Sequence, residues 1–308
     1  QPLLPFRYPP FAALMFLPFS FLPVISAYWA FFLLNLLFLT VIALLSRYAF
    51  PHLTSYRFWP LLPLTFFLFF HSLMIGQISI FLTLIFLTAY ISLRQNRPLL
   101  SGVLFGLLAI KPQLLLVLLP VTLLLIPQKT KFTLGLFVSL VILISMSLIT
   151  TTPADLLHYP AFITSTENPI SGSNPAHLAS LSSLLPHVPA VIGLYLLLFI
   201  TLAFLSRKLV WTLLWPASLP LVATLSPHLS STDFTLAAPA YFILLNLTFS
   251  PHASPKHLYF SFLAIFLSGI LVYLPVYLWS LPFIILSVVL LTICLPSRKK
   301  SSSPGTPP

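Results

Sequence analysis

The chain has 308 residues, of which 59% are hydrophobic and only 6% charged, with three acids against fourteen lysines and arginines and a formal net charge of +11. Soluble domains hold roughly a quarter charged residues, so a water-soluble core is excluded and an integral membrane protein is predicted. The lone cysteine, Cys294, excludes an internal disulfide or a cysteine-based metal site, and the positive balance reads as basic loops on the cytoplasmic side, not as a nucleic-acid surface.

In chain order, segment 1–23 (QPLLPFRYPPFAALMFLPFSFLP) is broken by prolines at 5, 9, 10, 18 and 23 and reads as a loop with a short half-helix. It lacks the basic, apolar, small-residue succession of a cleavable signal peptide. A chain opening on Gln1 instead of methionine predicts that an N-terminal part precedes it. Spans follow at 24–45, 58–73 and 77–93, and 98–126 reads as a broken hairpin with Lys111-Pro112-Gln113 at its apex. Further spans are predicted at 132–149, 189–205, 209–225, 234–249, 257–274 and 276–295. Segment 150–188 reads as a long polar loop with a short helix near 177–185, and 297–308 as a basic, Ser/Pro-rich disordered tail. The fold class is therefore all-α: one transmembrane helix bundle over 1–296, with about 10–12 membrane segments, several shorter than a full crossing needs.

Alternating sides at each span sorts the charges. Arg47, Arg57, Arg94, Arg97, Lys129, Lys131, Arg207, Lys208, Lys256, Arg298, Lys299 and Lys300 fall on one side, which the positive-inside rule makes cytoplasmic. Arg7, Lys111 and all three acids (Asp155, Glu167 and Asp233) fall on the other. The sorting requires 98–126 to go in and come back.

The outer side thus collects the candidate chemistry. Lys111 either snorkels to the headgroups or serves as a point cation for a phosphate, with Pro112 opening space beside it. Asp233 either favours a helix N-terminus, with Ser230, Ser231 or Thr232 as cap, or binds sugar hydroxyls or moves a proton, with His228 nearby. Gly76-Gln77 reads as a helix start next to a turn, where Gln77 satisfies backbone groups. His71, in an apolar helix, needs a partner. Asn246-Leu247-Thr248 is a formal glycosylation acceptor placed near the cytoplasmic end of a span. No glycine-rich phosphate loop, Ser/His/Asp order or metal-ligand spacing is present, so neither metal nor cofactor is expected.

Three stretches, in order, resemble glycosyltransferase family 87, polytopic GT-C-type enzymes that include polyprenol-phosphate-mannose-dependent α-1,2-mannosyltransferases. Pro5-Phe6-Arg7-Tyr8-Pro9-Pro10-Phe11 is similar to the family's PFxYPP motif. Gly76-Gln77, Arg97-Pro98, Gly102 and Lys111-Pro112-Gln113 are similar to its GQ…RP…G…KPQ block. Ser226-Pro227-His228 with Asp233 is similar to its SPH…YDL segment, although Thr232-Asp233-Phe234 stands where tyrosine-aspartate-leucine is usual. Residues 174–181 weakly resemble its N-x-S outer loop. The resemblance implies transfer of a hexose, mannose foremost, from a polyprenyl-phosphate donor to a lipid or glycan acceptor, at the extracytoplasmic face of a bacterial or archaeal plasma membrane. Lys111 would hold the donor phosphate, assisted by Gln113 and His228; Gln77, Asp233 and Tyr8 would orient sugar or acceptor. The family's acidic base lies upstream of the PFxYPP motif and so before Gln1, leaving Asp233 as the substitute within this chain. Two other readings stay open: a transporter or lipid-handling protein, and an inactive family member acting as a membrane partner.

Overall fold

A computed structural model describes residues 8–164, 188–226, 230–251, 253, 255–270, 278 and 280–294, and every regular element among them is helical. The helices are α1 (Pro10–Ser20), α2 (Val24–Ala49), α3 (Phe67–Ile75), α4 (Ser79–Arg94), α5 (Pro98–Gly106), α6 (Pro112–Leu125), α7 (Lys129–Thr150), α8 (Pro153–Thr164), α9 (Val188–Leu205), α10 (Trp211–Ala223), α11 (Ala238–Thr248), α12 (Pro255–Ile270) and α13 (Ser280–Cys294). Prolines punctuate the starts: α1, α5 and α6 each carry one in the first turn, where a missing N–H costs nothing.

Three expectations need correction. The span expected at 58–73 is split into a 3₁₀ turn, Trp59–Thr65, and the short α3. Pro60 and Pro63 withhold two amides from any continuous α ladder there. The polar loop expected at 150–188 begins with a helix, α8, whose amino end is capped by the Thr152 hydroxyl bonding the amide of Asp155 at 3.2 Å. The span expected at 234–249 opens as a 3₁₀ turn, Ser231–Ala237, before α11 continues it. The helix expected near 177–185 and the tail at 297–308 lie outside the described residues.

Among the described helices, α2 and α7 are long and apolar enough to cross a bilayer alone. Both bury small and polar residues among apolar ones and present large apolar side chains outward. On α7, Gly135, Ser139 and Ser147 are buried while Phe137, Val141 and Ile149 are exposed. On α2, Asn35 and Ser46 are buried while Ile25, Leu33 and Leu37 are exposed. Such a surface suits hydrocarbon and would be unstable in water, where helices bury the apolar stripe. At the centre lie α4, α10 and α11, knit by aromatic rings: Phe86 meets Trp215 edge-on with centroids 4.8 Å apart, and the Trp215 indole donates to Thr122 of α6 at 3.0 Å.

Hydrogen bonds identify which ends of the helices coincide. Gln128, between α6 and α7, bonds Asn96, between α4 and α5; both residues take positive φ, 54° and 60°, to make these tight turns. The Arg94 guanidinium donates to the carbonyl of Ala49, and the amide of His52 donates to the Asn246 side chain at 2.9 Å. The Tyr90 hydroxyl reaches the carbonyl of Thr212 at 2.8 Å, just after Arg207 and Lys208. The basic turns therefore share one end of the bundle. Segment 98–126 leaves that end and returns to it, as the charge pattern requires, with a 3₁₀ turn (Leu107–Ile110) and Lys111 at its far point. Its limbs are splayed: α5 lies on α4 and α7, α6 on α10 and α9.

The α5–α7 contact is unusually close. Gly102 and Gly106, four apart on α5, face Gly135 and Ser139, four apart on α7. A Cβ on Gly102 would come 1.9 Å from the Phe132 carbonyl oxygen, and one on Gly135 would come 2.0 Å from that of Leu99. Residue numbers rise together along the contact, so the two helices run parallel, and small residues let their backbones touch.

Candidate functional site

The end of the bundle opposite the basic turns holds a buried polar cluster, assembled from three chain breaks. Gly76 closes α3 with φ of +72°, a conformation that glycine adopts without strain. It reverses the chain so that Gln77 and Ser79 open α4. Pro112 disfavours helical geometry in the residue before it, so Lys111 sits at φ −124°, ψ 82°, between the 3₁₀ turn and α6. Asp233 is the third residue of the 3₁₀ turn Ser231–Ala237, where it completes a capping box with Ser230.

There Lys111 and Asp233 form an ion pair, with the residues only 6% and 1% exposed. The Asp233 carboxylate is almost fully coordinated. Its Oδ1 accepts from the Lys111 ammonium and from the Ser79 hydroxyl at 2.8 Å; its Oδ2 accepts from the amide of Ser230 at 3.1 Å. Thr235 in turn donates to the Ser79 carbonyl at 2.9 Å, locking the 3₁₀ turn onto the start of α4. A charge pair this deep is tolerable only with such complete pairing. Lys111 does not snorkel, because it is buried and paired.

Tyr8 stands at the edge of the cluster. Its hydroxyl donates to the Gln77 side chain at 3.3 Å, and its ring lies 5.9 Å from the Lys111 ammonium, within cation–π range. Of the expected site residues, the structure thus brings together Lys111, Asp233, Gln77 and Tyr8. Gln113 lies half-buried in the first turn of α6, two residues beyond Lys111. His228 and Arg7 lie outside the described residues. His71 finds its partner in Ser231 at 3.2 Å. Ser79 was missed from the sequence; its only signal is a small hydroxyl at a helix start two residues after Gln77.

The Ser230 cap on Asp233 is one of the three caps weighed from the sequence, and here the capping carboxylate also carries the ion pair. Asp155 is different: exposed on α8, it is bonded by the Thr152 hydroxyl at 2.6 Å and the Thr152 amide at 3.2 Å, and these bonds hold its carboxyl below the usual range. Glu167 lies outside the described residues. Asn246, the formal glycosylation acceptor, is engaged by His52 at the basic end. Among the described residues no three histidines, cysteines or acids gather as a metal site would require.

With the cluster in place, comparison with known proteins gives one match. The sequence pattern of glycosyltransferase family 87 covers residues 6–224. The chain belongs to glycosyltransferase family 87. The matched stretch contains Tyr8, Gln77, Ser79, Lys111 and Gln113, and it ends before Asp233. No curated protein and no solved structure matches the chain. Membership in family 87, with the apolar helices, makes this an integral membrane glycosyltransferase, acting on a sugar donor and an acceptor.

Proposed function

We propose that the chain transfers a hexose, mannose by family resemblance, from a polyprenyl-phosphate donor to a hydroxyl of a lipid or glycan acceptor. The reaction takes place at the extracytoplasmic face of a bacterial or archaeal plasma membrane. The observation carrying the reading is the buried Lys111, held by Asp233 at the end of the bundle opposite the basic turns. A lysine ammonium has three protons. Asp233 takes one, leaving others for a donor phosphate, while the pairing keeps the charge tolerable before the donor arrives.

In the transfer, the acceptor hydroxyl attacks the anomeric carbon, the bond from that carbon to the phosphate oxygen breaks, and configuration inverts. Negative charge grows on the departing polyprenyl phosphate, where Lys111 stabilises it, with Gln113 and His228 assisting. The hydroxyl proton passes to a base. Asp233 suits that role poorly, because three donors already occupy its oxygens. It orients Lys111 instead, and Gln77 and Tyr8 position the sugar.

Lys111→Ala is the test. Donor binding and transfer of radiolabelled mannose from polyprenyl phosphate in membranes should fall about 10- to 100-fold, the worth of one hydrogen bond to a charged group. Unchanged donor affinity and transfer in a folded variant would remove Lys111 from the donor site.

A further inference from the structure

Beside the buried cluster, the ends of α1 and α7 and the face of α8 enclose an open cleft of about 450 Å³. Its lining includes Tyr8, Thr150, Thr151, Asp155, His158 and Tyr159. The composition is unlike the lipid-facing surface elsewhere: two phenol rings, two threonine hydroxyls, a carboxylate and an imidazole in one concavity. The threonines end α7, which the backbone amide of Phe11 tethers to α1 through the Ser147 hydroxyl at 3.2 Å. Asp155 and His158 sit three apart on α8, on one face of the helix.

The carboxylate is arranged to receive hydroxyls. The bonds from Thr151, the Thr152 amide and the Thr152 hydroxyl all converge on Oδ2, and Oδ1 carries none among the described residues. Because the same bonds favour its ionised form, Asp155 is a weak proton acceptor in catalysis and a strong hydrogen-bond acceptor at neutral pH. Tyrosine rings offer apolar faces with polar tips. A pyranose has the complementary chemistry: apolar C–H faces for rings, and adjacent hydroxyls for a carboxylate, an imidazole and threonines.

We infer that this cleft receives the sugar portion of the acceptor, a neutral hexopyranoside, with Asp155 and His158 binding its hydroxyls and Tyr159 backing its ring. Tyr8 is the partition between the two sites: it lines the cleft, bonds Gln77 and lies over Lys111. An acceptor seated there presents a hydroxyl across Tyr8 towards the donor. The assignment rests on the transferase reading for the word acceptor, while the carbohydrate chemistry of the cleft stands on its own residues.

The experiment is saturation-transfer NMR with α-methyl mannoside on the full chain in nanodiscs, alongside binding of polyprenyl-phosphate mannose to the same samples. Asp155→Asn and Tyr159→Ala should each reduce pyranoside binding about five- to tenfold, the worth of a net hydrogen bond or ring contact. Leu157→Ala, 81% exposed on α8 and outside the lining, should leave it unchanged. Melting curves identify any variant that fails to fold, and the Tyr159 and Asp155 variants check each other. Absence of pyranoside binding, or equal binding in all variants, overturns the cleft. Donor binding without pyranoside binding overturns it while leaving the polyprenyl-phosphate reading intact; pyranoside binding that tracks the cleft variants without any donor binding supports the cleft and overturns the polyprenyl-phosphate donor.

Discussion

Ser79 shows how a buried charge pair depends on groups that carry no charge. Its hydroxyl donates to the same Asp233 oxygen that meets Lys111, so it sets the carboxylate's orientation as well as satisfying it. Removing one member of a buried pair leaves the other uncompensated, which costs about 3–5 kcal/mol, whereas replacing both with apolar groups is often neutral. Asp233→Leu should therefore destabilise the protein strongly, and Lys111→Met combined with Asp233→Leu should recover most of that loss, as read by unfolding in detergent. An additive double variant would mean that the two residues are stabilised separately. The sequence showed that Lys111 was an awkward charge and that Asp233 began a helix. It did not show that they were partners, because the two lie 122 residues apart and each has an adequate local explanation.

At the scale of the element, the proline signals were the most readable. Pro98, Pro112 and the 9–10 pair mark helix starts, and Gly76 marks a stop. Proline misled only where it recurs at short spacing: Pro60 and Pro63 turned an apparent span into a 3₁₀ turn, a change that hydrophobicity does not register. The α5–α7 contact was likewise hidden, because Gly102, Gly106 and Gly135 could equally be flexible positions. Their role is closeness, and it can be tested. Gly102→Ala or Gly135→Ala puts a methyl within about 2 Å of a backbone carbonyl, forcing the helices apart at a cost of about 1–3 kcal/mol. Gly193→Ala in α9 meets nothing within 4 Å and should be neutral or gain up to about 1 kcal/mol in helix propensity. Thermal melts of the three variants in one detergent make the comparison; equal effects at all three positions would mean that α5 and α7 tolerate separation.

For the whole molecule, charge did more than hydrophobicity to reveal the architecture. Span lengths alone were ambiguous, and only α2 and α7 reach crossing length among the described helices. The distribution of lysine and arginine nevertheless required an excursion at 98–126, and the bond between the turns on either side of it bears that out. The side of the membrane is the remaining prediction. In a Cys294→Ser background, Asn96→Cys and Gln128→Cys should label with an impermeant maleimide only from the cytoplasmic side, and Leu157→Cys only from outside. Labelling of all three from one side would overturn the orientation and, with it, the extracytoplasmic site.

The distance between Lys111 and Asp233 along the chain also matters during synthesis. Translation runs at about 5–20 residues per second, so the 122 residues between them take on the order of ten seconds to follow. Throughout that interval Lys111 lacks its partner, and at the end of the bundle its ammonium must stay solvated near the headgroups. The Lys111 side chain therefore reaches its buried, paired state only after the turn carrying Asp233 has been made. A nascent protein stalled before Asp233 would hold Lys111 without its partner.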